Sequence, residues 1–179
     1  VLELAILGFL GEGPLHGYEL KTRISRLAGY ARPVSDGSLY PAINRLARAS
    51  LVSRQREPGA AAAPRHTLSL TEAGRAELRR RLCEPAELDV TDQNRFFSLL
   101  AFLGQLADPA AQAAVLERRL AFLDQPASFF YAGDRPQRAA EQEDRFRRGM
   151  LVMAAAISRA EKAWLRETIA ALRGSEQTR

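Results

Sequence analysis

Two short stretches break an otherwise helical pattern and constrain the fold more than any other feature of the sequence. Leu51-Val52-Ser53-Arg54-Gln55-Arg56 and Arg65-His66-Thr67-Leu68-Ser69-Leu70 are strand-like, the second alternating apolar and polar residues at its end. Between them lies Glu57-Pro58-Gly59-Ala60-Ala61-Ala62-Ala63-Pro64, a two-proline loop that reads as a hairpin tip. Three helical patterns precede this hairpin and one follows it. That is the order of a winged helix-turn-helix, in a chain that is otherwise mainly α.

The first helix is expected over residues 2–10, compact and apolar, and ended by Gly11, Gly13 and Pro14. A second covers about 16–28, with Leu20, Ile24 and Leu27 on one face and Gly29 able to stop it. The third runs from Asp36 or Ser38 to about Ala49, with Leu39, Ile43 and Leu46 as its inward stripe. Ser35, Asp36 and Ser38 are all candidate N-caps. Pro41 argues for the later start, because proline is tolerated in a first turn and disrupts an interior. The fourth opens at Thr71, with Glu72 in the favourable first turn, and reaches about Leu82.

Charge divides the chain. Residues 1–82 carry 13 Lys and Arg against 7 Asp and Glu, whereas 83–179 carry 13 against 14. A basic excess confined to one half is the footprint of a module that docks on a polyanion. Pro85 and the change of charge beside it mark an expected boundary between residues 1–83 and 84–179. At 179 residues and 46% hydrophobic content, the chain can fill a core without disulfides or metal. Cys83 stands alone and cannot form an intrachain disulfide, which fits a reducing compartment. The opening apolar run breaks at Gly11-Glu12-Gly13, and no stretch approaches 18 apolar residues. A cytoplasmic protein with no membrane segment is the expectation.

The third helix and the hairpin have a physical logic for double-stranded DNA. A helix fits the major groove while a hairpin reaches the adjacent backbone. Opposite the Leu39, Ile43 and Leu46 stripe lie Ser38, Pro41, Asn44, Arg45 and Arg48, and Asn and Arg suit bidentate reading of adenine and guanine. Arg54, Arg56, Arg65 and His66 on the hairpin can meet phosphates. The plain alternative is a solvated face on a small helical domain; the hairpin and the segregated charge weigh against it. Tyr40 has two readings, a hydroxyl donor to phosphate or a packing residue under the wing. His16 reads as structural or capping, and His66 as a solvent or phosphate contact rather than a metal ligand.

These residues also carry a family resemblance. Leu4-Ala5-Ile6-Leu7-Gly8-Phe9-Leu10, followed by Gly13-Pro14-Leu15-His16-Gly17-Tyr18-Glu19-Leu20, resembles the opening of PadR-family transcriptional regulators. Val34-Ser35-Asp36-Gly37-Ser38-Leu39-Tyr40-Pro41-Ala42-Ile43 and Leu70-Thr71-Glu72-Ala73-Gly74 are similar to later family motifs, and the match spans about residues 2–82. The resemblance implies a winged-helix DNA-binding domain, a helical C-terminal dimerisation domain, and usually repression relieved by a small molecule. It places the Ser35–Ser38 turn, Tyr40, Asn44 and Arg45 in the family's recognition helix, and Arg65 where basic residues return from the wing. The tip here departs from the many relatives that are densely basic at this point, which weakens any grip by the tip itself.

The second module reads as helical. Residues 86–107 carry Phe96, Phe97, Leu99, Leu100, Phe102, Leu103 and Leu106, an apolar helix expected to pack on two sides. Asp108-Pro109 is an N-cap followed by proline, opening a helix with Leu116, Leu120 and Leu123 on one face. Pro126, Gly133 and Pro136 interrupt the pattern. The last helix, about 138–172, places Phe146, Met150, Met153, Ile157, Ala160 and Trp164 at alternating steps of 4 and 3, a coiled-coil-like seam suited to a homodimer. Packing of that seam on residues 96–106 is the alternative, and residues 174–179 read as frayed. Phe96, Phe97 and Trp164 are candidate walls for a small aromatic or apolar effector, and equally core material.

Catalysis finds no footing: two histidines and one cysteine supply no triad and no metal-ligand spacing, and no glycine-rich phosphate loop is present. No cofactor or metal is expected. Cys83 reads as a passive buried cysteine at a helix end, with a redox role only if the Arg79-Arg80-Arg81 run lies near it. The expected protein is a dimeric repressor on a pseudo-palindromic operator. A winged-helix protein-interaction module without sequence-specific DNA binding is the alternative.

Overall fold

A computed structural model describes residues 1–27, 29, 34–57 and 65–176. The chain divides into two compact units, Val1–Asp108 and Pro109–Arg179. Helix α1 (Leu2–Glu12) is the centre of the first, because it is apolar nearly all round and buries Leu4, Ala5, Ile6, Leu7 and Leu10. A two-residue strand β1 (Leu15–His16) then leads into α2 (Gly17–Leu27), whose Leu20 and Ile24 are buried while Leu27 is half-buried.

Helix α3 (Asp36–Arg48) turns Leu39, Ala42, Ile43 and Leu46 inward. It starts at Asp36, not at the later position that Pro41 suggested. The Ser35 carbonyl accepts from the Ser38 and Leu39 N–H groups, closing the first turn ahead of the proline. Pro41 lies on the exposed face, so the helix runs through it at the loss of one internal hydrogen bond. Lys21 of α2 pairs with Asp36 at 2.8 Å and holds the start of α3 beside α2.

Strands β2 (Val52–Glu57) and β3 (Arg65–Leu70) form the hairpin, in antiparallel register from Val52 opposite Leu70 to Glu57 opposite Arg65. Strand β1 adds to the far side of β3, Leu15 opposite Leu68, giving the order β1-β3-β2. The expected tip, residues 58–64, lies outside the described residues, as does the end of the chain at 177–179. The turn from α3 into β2 is a Schellman ending: Leu51 N–H donates to the Leu46 carbonyl, Ser50 N–H to that of Ala47, and Ser50 takes φ 57°.

Helix α4 (Glu72–Cys83) is capped as expected, the Thr71 hydroxyl accepting from the Gly74 N–H at 2.9 Å. The same hydroxyl donates to the Ser50 carbonyl at 2.7 Å. A β-carbon on Gly74 would stand 2.0 Å from the Leu51 carbonyl oxygen, so glycine alone lets α4 cross the turn this closely. Cys83, expected to be buried, is exposed: the core-facing end of α4 is filled by Leu82 instead.

The apolar run at 86–107 is two helices, not one. Helix α5 (Glu87–Thr91) stops at Asp92, whose carboxylate caps α6 (Gln93–Leu103) by accepting from the Arg95 N–H at 2.9 Å. Phe102 packs against α1 so tightly that a β-carbon on Gly8 would come within 2.4 Å of its ring, and Phe9 meets the same ring edge-on. The first unit therefore extends past the expected segment 1–83 to take in α5 and α6.

In the second unit, α7 (Pro109–Leu123) buries Ala113, Val115 and Leu116, with Leu120 and Leu123 half-buried. A small hairpin of β4 (Tyr131–Ala132) and β5 (Arg135–Pro136) turns at Gly133, and a 3₁₀ turn at Ala139–Glu141 follows. The last helix, α8 (Arg145–Glu176), begins seven residues later than expected because the Asp144 carboxylate accepts from the Phe146 and Arg147 N–H groups and caps it there. Helices α7 and α8 run antiparallel, Glu117 bonding Arg173 while Asp124 bonds Lys162 and Arg166.

Candidate nucleic-acid interface

The start of α2, the exposed side of α3 and the wing enclose one cleft of about 670 Å³ in the first unit. Its floor is apolar, built by Ile43 and Leu68, both buried. Its walls are polar: Tyr40 from α3, Arg54 from β2 and His66 from β3, three of the residues expected to touch DNA. Gly17 and the acidic Glu19 also line it, and His16 and Tyr18 complete the walls. Sequence reasoning missed both as contacts, although Tyr18 is 78% exposed, more than any other large apolar or aromatic side chain described.

Local folding explains the arrangement. Glu19 accepts from the His16 N–H at 3.2 Å and so closes the first turn of α2, which gives His16 the capping position expected of it, through its backbone. The His16 ring faces Thr67 across β1 and β3, with Nδ1 at 3.5 Å from Oγ1. Tyr40 is neither fully packed nor free of packing. Its ring lies along Gly17, where a β-carbon would meet Cε1 at 3.5 Å, yet the residue stays 46% exposed.

The expected base readers have partners within the protein. Arg54 donates through Nη2 to the Asn44 carboxamide oxygen, tying β2 to α3 and leaving the Asn44 amino group unclaimed by that bond. Arg45 does not project straight out of α3 as its spacing suggested; its Nε donates to Glu3 Oε1 of α1 at 3.0 Å. Ser35 at the N-cap and Ser38 in the first turn of α3 hydrogen-bond each other at 3.2 Å, and Arg48 is exposed at the helix end. His66 stands exposed opposite Arg56 on the wing. Arg65 opens the same strand, its side chain outside the described part.

The remaining candidates lie elsewhere. Phe96 is 1% exposed and belongs to the core of the first unit, which removes it as a ready-made effector wall. Phe97 and Trp164 are about half exposed. On α8, Phe146, Met153, Ile157 and Trp164 are exposed, while Leu151 and Leu165, each one position along from a seam residue, are buried. Among the described residues no three His, Cys, Asp or Glu side chains converge as a metal site, and no helix is long and apolar enough to cross a membrane.

The transcriptional regulator PadR-like family matches residues 6–80, the segment that runs from α1 into α4. No curated protein matches the chain. Among solved structures, PadR of Bacillus subtilis in complex with operator DNA is 20% identical, with 96% of this chain and 99% of that one covered and a TM-score of 0.46. The same protein in complex with p-coumaric acid is 19% identical, over 96% and 98%, with a TM-score of 0.43. The protein smu.1604c of Streptococcus mutans UA159 is 14% identical, over 98% of each chain, at 0.43. A wing following three helices, with the family's match laid across them, makes residues 6–80 of this chain a domain of the PadR-like family of transcriptional regulators.

Proposed function

We propose that this chain is a cytoplasmic homodimeric repressor that occupies a pseudo-palindromic stretch of double-stranded DNA and is released by a small aromatic or apolar molecule. The single observation that carries the reading is the cleft, where the recognition helix, the basic wing and the start of α2 present Tyr40, Arg54, His66 and Tyr18 on one face. In this reading residues 1–83 are the DNA-binding part. Helix α3 enters the major groove with Asn44 and Arg48 toward base edges. Arg54, Arg56 and His66 neutralise phosphates, and the Tyr40 hydroxyl donates to one.

One such unit reads few base pairs. Two recognition helices held about 34 Å apart match successive major grooves, and the second docks at high effective concentration once the first is bound. The α8 seam supports a two-fold partner, because Phe146, Met153, Ile157 and Trp164 lie exposed along one helix face. Residues 84–179 would hold the effector, with the half-exposed Trp164 of α8 as a candidate aromatic surface for it. Repression then follows from occlusion of a promoter.

Salt titration tests the reading against a wing used only for protein contacts. Duplexes enriched from a random library by the intact protein are labelled, and their affinity is measured from about 50 to 200 mM salt. The expected result is a linear fall of log K with log salt, with a slope set by several phosphates. Failure to enrich any duplex, together with a flat salt response, overturns the reading.

A further inference from the structure

The recognition helix is tied to two other helices through one carboxylate. Glu3 of α1 uses both oxygens: Oε1 accepts from Arg45 Nε at 3.0 Å, and Oε2 accepts from Arg81 Nη1 at 3.4 Å. Arg81 passes the charge on, its Nε donating to Glu77 at 2.6 Å, and Arg80 donates twice to the same carboxylate at 2.8 and 2.9 Å. The Arg45 side chain remains 61% exposed and that of Glu3 29%, so the pair lies at the surface beside α3.

The atom used on Arg45 matters. A guanidinium reads guanine through its two terminal nitrogens, in a fork aimed at O6 and N7. Glu3 takes Nε, which leaves that fork intact and fixes the plane in which it points. The same carboxylate cancels much of the attraction between Arg45 and a passing phosphate, and it repels the phosphate itself. On non-cognate DNA, Arg45 gains a phosphate only by leaving Glu3 beside the polyanion. On a cognate site it keeps Glu3 and still meets a guanine.

We propose that Glu3 is a specificity-determining residue, which aims Arg45 at a guanine edge and withholds it from the phosphate backbone. This rests on the DNA-binding reading above. It assigns to α1, outside the helix-turn-helix and the wing, a share of the discrimination between operator and random DNA.

The test measures wild type, Glu3→Gln, Arg45→Met and the double variant, each on an enriched operator duplex and on a scrambled duplex of the same length. Removing the Glu3 charge frees Arg45 for one more phosphate. The log K against log salt slope on scrambled DNA should steepen by about 1, and affinity for it at 0.15 M salt should rise about 5-fold. Operator affinity should not rise with it, so the specificity ratio should fall by at least that factor. In the Arg45→Met background, Glu3→Gln should relieve only the direct repulsion of phosphate, and so raise scrambled affinity much less than 5-fold with operator and scrambled DNA shifted alike. An unchanged slope and ratio, or equal shifts on both duplexes, overturns the proposal while leaving DNA binding intact. A wild type that binds neither duplex overturns both readings. Arg45→Met alone keeps the question answerable if Glu3→Gln fails to fold: it should lose operator affinity and keep scrambled affinity, and equal losses on the two overturn the proposal.

Discussion

Arg119 of α7 donates to Glu161 of α8 through Nε at 2.7 Å and through Nη2 at 3.3 Å, with the Arg119 side chain only 3% exposed and that of Glu161 12%. The pair fixes one face of α8 against α7 and leaves the neighbouring face outward. A buried pair of this kind contributes little net stability compared with an apolar pair, yet breaking it leaves the buried Arg119 guanidinium without its carboxylate counter-charge. Glu161→Ala should therefore cost about 3–5 kcal/mol in urea unfolding. Arg119→Met with Glu161→Leu should cost much less than that single change, and a double variant as unstable as Glu161→Ala would contradict the argument.

Two substitutions beside the α3–β2 turn should move stability in opposite directions. Gly74→Ala forces a methyl into the Leu51 carbonyl, where backbone cannot give way, and should cost about 3 kcal/mol or more. Ser50→Gly removes the left-handed strain at φ 57° and should stabilise by about 0.5–1 kcal/mol, since glycine adopts that conformation freely. Thermal melts of both variants check the pair.

Much of this architecture was legible in the sequence, and the misses share a cause. The hairpin and α4 were readable because the change of period and the Thr71 cap are local signals. Strand β1 was not, because two residues show no period; Leu15 and His16 become a strand only because β3 offers them an edge. Asp92 and Asp144 each held a capping signal inside a longer apolar pattern, and the pattern outweighed it in the reading. At the site, helical spacing pointed to Asn44, the strand pattern to Arg54 and His66, and the family resemblance to Tyr40. None of these could bring out the bond from Arg45 to Glu3, formed across 42 positions, nor the exposure of Tyr18 beside the wing.

Acid should unfold the first unit partly through Glu77. Hydrogen bonds from Arg80 and then Arg81 hold its carboxyl down from 4.5 to about 2. A group depressed on folding stabilises the native state above its ordinary value and loses that contribution as pH falls toward its folded value. The loss should therefore fall between about pH 4.5 and 2. Glu77→Gln should flatten the dependence of Tm on pH in that window and leave it unchanged above pH 5. Parallel curves for the two proteins would contradict the assignment.

The α8 seam should set the oligomeric state. Met153→Glu and Ile157→Glu place charge on side chains that are 63% and 53% exposed, so the monomer fold should survive. Sedimentation of the wild type should give a dimer at micromolar concentration, and the double variant should run as a 19.8 kDa monomer. A wild type that already sediments as a monomer would contradict the dimer.

The most direct test of the central claim, that α3 reads bases, is the affinity of Asn44→Ala on the enriched operator and on a scrambled duplex at one fixed salt concentration. Asn44 keeps its amino group clear of the Arg54 bond. The account predicts a loss of about 1–3 kcal/mol on the operator with scrambled DNA nearly unaffected, and full thermal stability. Equal losses on both duplexes, or no loss on either, would contradict it.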